Sequence, residues 1–247
     1  MKLTIVGSGD AFGSGGRSHT CFRLDADGLC VAVDFGASAI VGWKKLGFGA
    51  NDVDAIVISH LHGDHFGGLP FLLLDCQFVA RRKKPLVIAG PPGLRNRLEM
   101  AMEAFFPGAI ANRWTFPWEV REVVPGEPVD LLGFHLETLE VIHPSGAPAT
   151  GIRLTRNGKT FSYSGDTGWT PALDHIAANA DVFMCECYSG SVAVPNHIDW
   201  PSLKAHLTQF TSKRLVLTHM NEDALARANE IEALGVGLAH DGLVIDL

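Results

Sequence analysis

Four short apolar segments of this chain each run directly into a histidine or an aspartate. Ile56-Val57-Ile58-Ser59 ends at His60, Leu139-Glu140-Val141-Ile142 at His143, Phe161-Ser162-Tyr163-Ser164-Gly165 at Asp166, and Leu215-Val216-Leu217-Thr218 at His219. Short runs of this kind, rich in β-branched and aromatic residues, read as strands. If the four run alike in their sheets, their C-terminal ends carry three imidazoles and a carboxylate to one edge, where open α/β folds place their sites. A lone histidine at a strand end is ordinarily a hydrogen-bonded structural residue. Four ligand-type residues in equivalent places are hard to assign to packing.

The surrounding pattern mixes strands and helices throughout. Strands are expected at 2–6, 21–25, 29–34, 55–59, 86–89, 182–187, 215–218 and 243–246, with strand-like, proline-punctuated sequence over 114–143. Asp27-Gly28 marks one hairpin, and Asn157-Gly158 joins 151–155 to 160–164 as another. Helices are expected at 37–46, 69–81, 94–106, 171–179, 201–210 and 222–234. Two sheets covered outside by helices fit this order better than a barrel. With 247 residues, 47% of them hydrophobic and 19% charged, the chain has the apolar surface for a large core and reads as one domain over 1–247.

No apolar run approaches the roughly 18 residues that cross a bilayer, and the first residues enter a strand pattern at once, so a soluble, cytoplasmic protein is expected. Cys21, Cys30, Cys76, Cys185 and Cys187 form no C-x-x-C pair and read as reduced core residues. The net charge of −7 weakens any picture of broad nucleic-acid binding. The one basic run, Arg81-Arg82-Lys83-Lys84, is expected to be a solvated loop.

Chemistry concentrates in His60-Leu61-His62-Gly63-Asp64-His65, four ligand side chains within six positions. Packed imidazoles beside a carboxylate waste burial unless a cation holds them, and this nitrogen-rich set with a hard oxygen suits borderline divalent metals. Zinc comes first, with manganese and iron also compatible. Gly63 permits a sharp turn, so that His60 and His62 can face one ion while Asp64 and His65 face another.

The motif His60-x-His62-x-Asp64-His65, together with His143, Ser164-Gly165-Asp166-Thr167-Gly168 and Leu217-Thr218-His219, resembles the metal signature of the metallo-β-lactamase superfamily. Within it the chain is most similar to the branch containing ribonuclease Z, arylsulfatases and small phosphodiesterases. Gly7-Ser8-Gly9-Asp10-Ala11, Asp34-Phe35-Gly36, Phe66-Gly67-Gly68-Leu69-Pro70 and Gly90-Pro91-Pro92-Gly93-Leu94 support the resemblance, which covers almost the whole chain. It implies a four-layer αββα sandwich and two metal ions, one on His60, His62 and His143, the other on Asp64, His65 and His219, with Asp166 bridging. It also implies a homodimer, and the aromatic-rich stretch Phe105, Phe106, Trp114, Phe116 and Trp118 offers core or subunit contact, with one or two of its rings as alternative walls of a substrate pocket.

A metal pair of this kind activates water as a bridging hydroxide that attacks a phosphorus, carbonyl or sulfur centre. Asp64 is the natural group to orient it and accept its proton. His197, in Pro195-Asn196-His197-Ile198, is the candidate proton donor to the leaving group, because the phosphodiesterase branch carries a histidine between the bridging aspartate and the last metal histidine. The context departs from the family's: Asn196 stands for a glycine and Asp199 where a hydroxyl is expected. The expected function is therefore a dinuclear metal-dependent phosphodiesterase. Only 23 positions separate His143 from Asp166, too few for the substrate arm many ribonuclease Z proteins insert there, so a small diester is favoured over RNA. The alternatives are an ester, lactone, arylsulfate or β-lactam hydrolase and, outside enzymes, a metal-dependent binding or redox-sensing protein. Gly7-x-Gly9 does not read as a dinucleotide loop, since Phe12 holds the third-glycine position. Arg17 and His19, in the glycine-rich loop that follows, are secondary candidates for touching substrate.

Overall fold

In the computed structural model, which describes residues 1–247, β1 (Lys2–Gly7), β2 (Cys21–Ala26) and β3 (Leu29–Val33) form an antiparallel meander. Its second turn is Asp27-Gly28, both residues at positive φ (52° and 79°), the conformation that two-residue hairpins require. The chain then alternates: α1 (Ala39–Lys45), β4 (Ala55–Val57), α2 (Gly63–Phe66), α3 (Leu69–Leu74), β5 (Leu86–Gly90), α4 (Leu94–Phe105) and β6 (Trp118–Glu122). Strands β3 to β6 lie parallel. The second half runs β7 (Val129–Leu131), β8 (Phe134–Glu140), β9 (Thr150–Arg156), β10 (Lys159–Tyr163), α5 (Ala172–Ala177), β11 (Val182–Glu186), α6 (Trp200–His206), β12 (Leu215–Thr218), α7 (Glu222–Leu225), α8 (Ala228–Ala233), β13 (Gly237–Leu238) and β14 (Val244–Asp246).

Two seven-stranded sheets result, ordered β14-β1-β2-β3-β4-β5-β6 and β13-β12-β11-β10-β9-β8-β7. Period-two alternation packs them. Val31 and Val33 of β3 enter a core shared with Phe134, Leu154, Phe161 and Met184 of the second sheet. Their neighbours Cys30 and Ala32 face outward against Trp43, Leu72, Leu98 and Met102 of the covering helices. On the far side, Phe183, Cys185 and Leu217 pack under Leu173, Ile176, Trp200, Leu203 and Ile231. This is the αββα sandwich expected, with its layers set by which face of each strand is apolar. All five cysteines are buried and unpaired. No helix is long and apolar enough to cross a membrane.

Three local expectations change. The histidine-rich segment expected as a loop contains α2, one helical turn starting after His62. The helix expected over 69–81 stops at Leu74 and widens into a π turn over Asp75–Val79, with Ala80 N–H donating to Asp75 O at 2.8 Å. The helix expected over 222–234 is split into α7, capped by the Asn221 side chain, and α8. The basic run is also not uniformly solvated. Arg81, Lys83 and Lys84 are exposed, but Arg82 is fully buried and donates to the carbonyls of Ala50, Val53, Lys84 and Pro85 at 2.6–2.9 Å. Loop carbonyls turned inward need donors, and one guanidinium satisfies four.

Candidate metal centre

The parallel strands β8, β10 and β12 point the same way, so the chain leaving each of them reaches one rim. His143, Asp166 and His219 lie there, and His60, His62, Asp64 and His65 arrive from the other sheet through the segment after β4. The rings of His60, His62 and His143 stand mutually edge to face with centroids 4.8–4.9 Å apart. Asp64, His65, Asp166 and His219 form a second, buried group, and within each group the donor atoms lie within 4.8 Å of one another. Asp166 stands between the two: its Oδ2 is 3.3 Å from His65 Nε2, 3.3 Å from His219 Nε2 and 3.8 Å from His60 Nε2. All seven side chains that the sequence singles out are thus brought together.

Local backbone explains how. Gly36 underlies the histidine loop so closely that a Cβ there would lie 2.0 Å from the Asp64 carbonyl oxygen. Gly165 takes φ 64° immediately before Asp166, with the Thr150 carbonyl 2.5 Å from where its Cβ would be. His219 itself adopts φ 57°, a left-handed conformation that costs a histidine about 1–2 kcal/mol. It is held there by its N–H on Ser8 O, which also accepts from Thr218 Oγ1. The opening Gly7-Ser8-Gly9 is therefore a buttress under His219.

Hydrogen bonds fix which ring nitrogens are free. Asp34, fully buried, accepts from Ser59 N–H, Ser59 Oγ and His65 Nδ1, each at 2.7 Å. With Ser59 Oγ donating to Asp34, His60 Nδ1–H donates to Ser59 Oγ at 3.1 Å. His143 Nδ1–H donates to Asn196 O at 3.0 Å. In all three residues Nε2 is thereby turned toward the cluster, where His143 Nε2 meets His62 Nδ1 at 3.1 Å, the orientation that metal-ligating histidines adopt. His60 Nε2 is buried with no hydrogen-bond partner. An orphaned inward-facing imidazole nitrogen beside carboxylates is what a divalent cation would satisfy, so the donor set fits a metal.

The charges agree. Burial, with His65 beside it, pushes the His60 pKa well below its ordinary value, which keeps the ring neutral. Burial opposes charge on His65 as well, but Asp166, Asp64 and Asp34 outweigh it and hold its pKa well above the usual histidine range. His219 is raised in the same way to about 9, against its burial, by Asp166 and Asp64. Burial would raise Asp64, yet His65 and His219 keep its carboxyl far below the ordinary carboxylate range.

His197 stands outside these two groups, although its ring nitrogens come within 4.8 Å of donor atoms of His143 and Asp166 and of Glu186 and His219, and it lines the cavity in front of them, a volume of about 330 Å³. Its Nδ1 lies 3.1 and 3.2 Å from the two oxygens of Glu186, which is fully buried at the end of β11. Burial lowers the His197 pKa, but the hydrogen bond to Glu186 and the charges of Glu186 and Asp166 together outweigh it, so the net shift is upward. The departures from the family context have local reasons. Asn196 takes φ 63°, a left-handed position that asparagine tolerates in place of glycine, and Asp199 caps α6 by accepting from Ser202 N–H at 2.9 Å. Sequence reasoning gave Glu186 no role. Its signal was a carboxylate inside the apolar run Val182–Glu186 that continues to Cys187. Arg17 and His19 do not line the cavity. Arg17 ties the glycine-rich loop to Ser14 and Met220, and His19 Nδ1 accepts from Ser38 N–H.

Comparison with known proteins agrees with this reading. Ribonuclease Z of Mycobacterium marinum is 28% identical over 193 residues, 74% of this chain and 69% of the relative. Human tRNase Z, short form, shares the fold with a TM-score of 0.81 and 25% identity, covering 100% of this chain and 99% of that one. A diphosphatase from the PhnP family shows the same fold at a TM-score of 0.79 and 20% identity, covering 100% of this chain and 97% of that one. Fold, donor clusters and relatives together make the chain a metal-dependent hydrolase of the metallo-β-lactamase fold. The family model described as "Anti-Pycsar protein Apyc1" matches residues 1–242, and the chain belongs to that family.

Proposed function

We propose that the chain hydrolyses small phosphodiesters with two divalent ions, zinc first, on the ligand sets His60, His62, His143 and Asp64, His65, His219, with Asp166 shared. The two compact donor groups and the position of Asp166 between them support this division. When bound, such a pair brings the pKa of water toward neutrality and draws phosphoryl oxygens against it. Asp64, which lines the cavity, orients the attacking water and takes its proton. His197 delivers a proton to the departing oxygen from Nε2, while Glu186 grips Nδ1 and fixes the ring. That pair carries the phosphodiesterase reading: a carboxylate-held imidazole outside both donor groups serves a poor, alkoxide-type leaving group.

A nucleotide-sized substrate fits better than RNA. The cavity of about 330 Å³ is at the small end for ligand sites, and between His143 and Asp166 the chain forms only the β9–β10 hairpin. The buried free cysteines suit a reducing, cytoplasmic setting. A homodimer is supported by an apolar face away from the cavity. Exposed Phe78 and Val79 line a groove of about 410 Å³ together with Ile40, Val41, Phe71 and Phe106. An exposed apolar face of this kind suits the isologous contact of a two-fold dimer.

Initial rates on bis(p-nitrophenyl) phosphate, with zinc- and manganese-loaded protein and Asp64→Ala as the control for contaminating activity, test the reading. A metal-dependent rate lost in the variant is expected. No rate from protein with two metals bound would contradict it and favour esters, lactones or sulfates.

A further inference from the structure

We propose that Phe12 is a stacking platform for a planar, uncharged substituent of the substrate, most simply a nucleobase; this rests on the phosphodiesterase reading above. Phe12 is 83% exposed, more than any other large apolar side chain of the protein, and it lines the cavity in front of the donor cluster. At the edge of the cavity its ring offers a flat apolar face to whatever enters.

The segment carrying the ring is held in place. Asp10, fully buried, accepts from Ser14 N–H through one carboxylate oxygen and from Ser14 Oγ through the other, each at 2.8 Å, and its carbonyl accepts from Gly13 N–H. Gly15 N–H donates to Glu222 at 2.7 Å, and Gly9 N–H to Ser18 O at 2.7 Å. A loop rich in glycine, which would otherwise wander, is thus pinned on both sides of Phe12. Presenting a ring from a fixed backbone lowers the entropy lost when a flat partner settles on it.

The character of the wall selects the partner. Beyond the donor cluster and His197, the cavity is lined by Ala11, Phe12, Tyr188, Val194 and Pro195, and by no lysine or arginine. Such a wall offers nothing to a second phosphate or to a tracking polynucleotide backbone, which require cations. It suits the apolar face of one base attached to the phosphoryl group on the cavity floor, a contact that tolerates any base because each has a π face.

Calorimetric titration of metal-loaded protein with adenosine 5′-phosphate and with ribose 5-phosphate isolates the contact, since the two probes differ by the base alone. Wild type is expected to prefer the nucleotide by about tenfold or more. Phe12→Ala should reduce the preference to about twofold or less, and Phe12→Trp should retain it. Melting curves of both variants should match wild type, because the ring touches no core. A wild type without the preference, or a Phe12→Ala protein that keeps it, overturns the platform. Turnover of bis(p-nitrophenyl) phosphate by wild type is scored separately: its absence contradicts the phosphodiesterase reading, whereas its presence beside an unchanged preference contradicts only the role of Phe12.

Discussion

At Asp34 the backbone takes φ 56°, and one carboxylate oxygen accepts from both Ser59 Oγ and His65 Nδ1. Through Ser59 the same carboxylate also sets the tautomer of His60, so one buried acid aims two rings, one in each donor group. An asparagine cannot accept all three bonds, because its NH2 would face either Ser59 N–H or the pair Ser59 Oγ and His65 Nδ1. Asp34→Asn is expected to keep the fold and to weaken zinc binding about 10–100-fold in competition with a chromophoric chelator; unchanged affinity would remove Asp34 from the positioning of the rings. The seven donors were legible in sequence because their density and their places after strands have no packing explanation. The roles of Asp34 and Glu186 were not, because each acts on a partner far along the chain, His65 and His197, across contacts that no local pattern encodes.

Elements were legible where a local rule decides them. Asp27-Gly28 and Asn157-Gly158 each take the paired positive φ values that such dipeptides favour, and the strands they join follow within a residue or two of the expected limits. Helix ends were not, because tertiary demands override periodicity: the inward turn of the loop carbonyls onto Arg82 follows the widening after α3. The pairing of β10 with β11 has its own electrostatic clamp. Asp181 precedes β11 and accepts from Thr160 N–H, with Lys213 and Lys159 at 2.8 and 3.4 Å. Burial would raise its pKa, but Lys213, the Thr160 N–H and Lys159 outweigh it and bring it from 3.8 to about 2. A depressed folded pKa stabilises above the unfolded value and loses that stabilisation as pH falls through the folded one. Asp181→Asn should therefore cost about 1 kcal/mol in urea unfolding near pH 7, discounted for the exposed lysines, and progressively less between about pH 4 and pH 2. A deficit independent of pH would contradict the clamp.

The whole molecule separates its functions by face. Helices α1, α3 and α4 cover the first sheet and leave an apolar groove flanked by Phe71, Phe78 and Phe105, while the strand ends at one rim hold the donor groups. The layered fold was legible as a class because apolar strands alternate with amphipathic helices; the groove was not, because which aromatics stay outside depends on packing between helices. Phe78→Asp is expected to halve the mass seen by analytical ultracentrifugation, from dimer to monomer, without loss of the fold; an unchanged mass would move the subunit contact elsewhere. In the proposed reaction this rim cleaves phosphodiesters with His197 donating to the leaving oxygen. Its most direct test is kcat/KM across aryl and alkyl phosphodiesters of increasing leaving-group pKa for wild type and His197→Ala. Wild type should show a shallow dependence and the variant a much steeper one, with losses of about 10²–10⁴-fold concentrated in the poorest leaving groups. Parallel lines, with the variant equally impaired or unimpaired on every substrate, would contradict it.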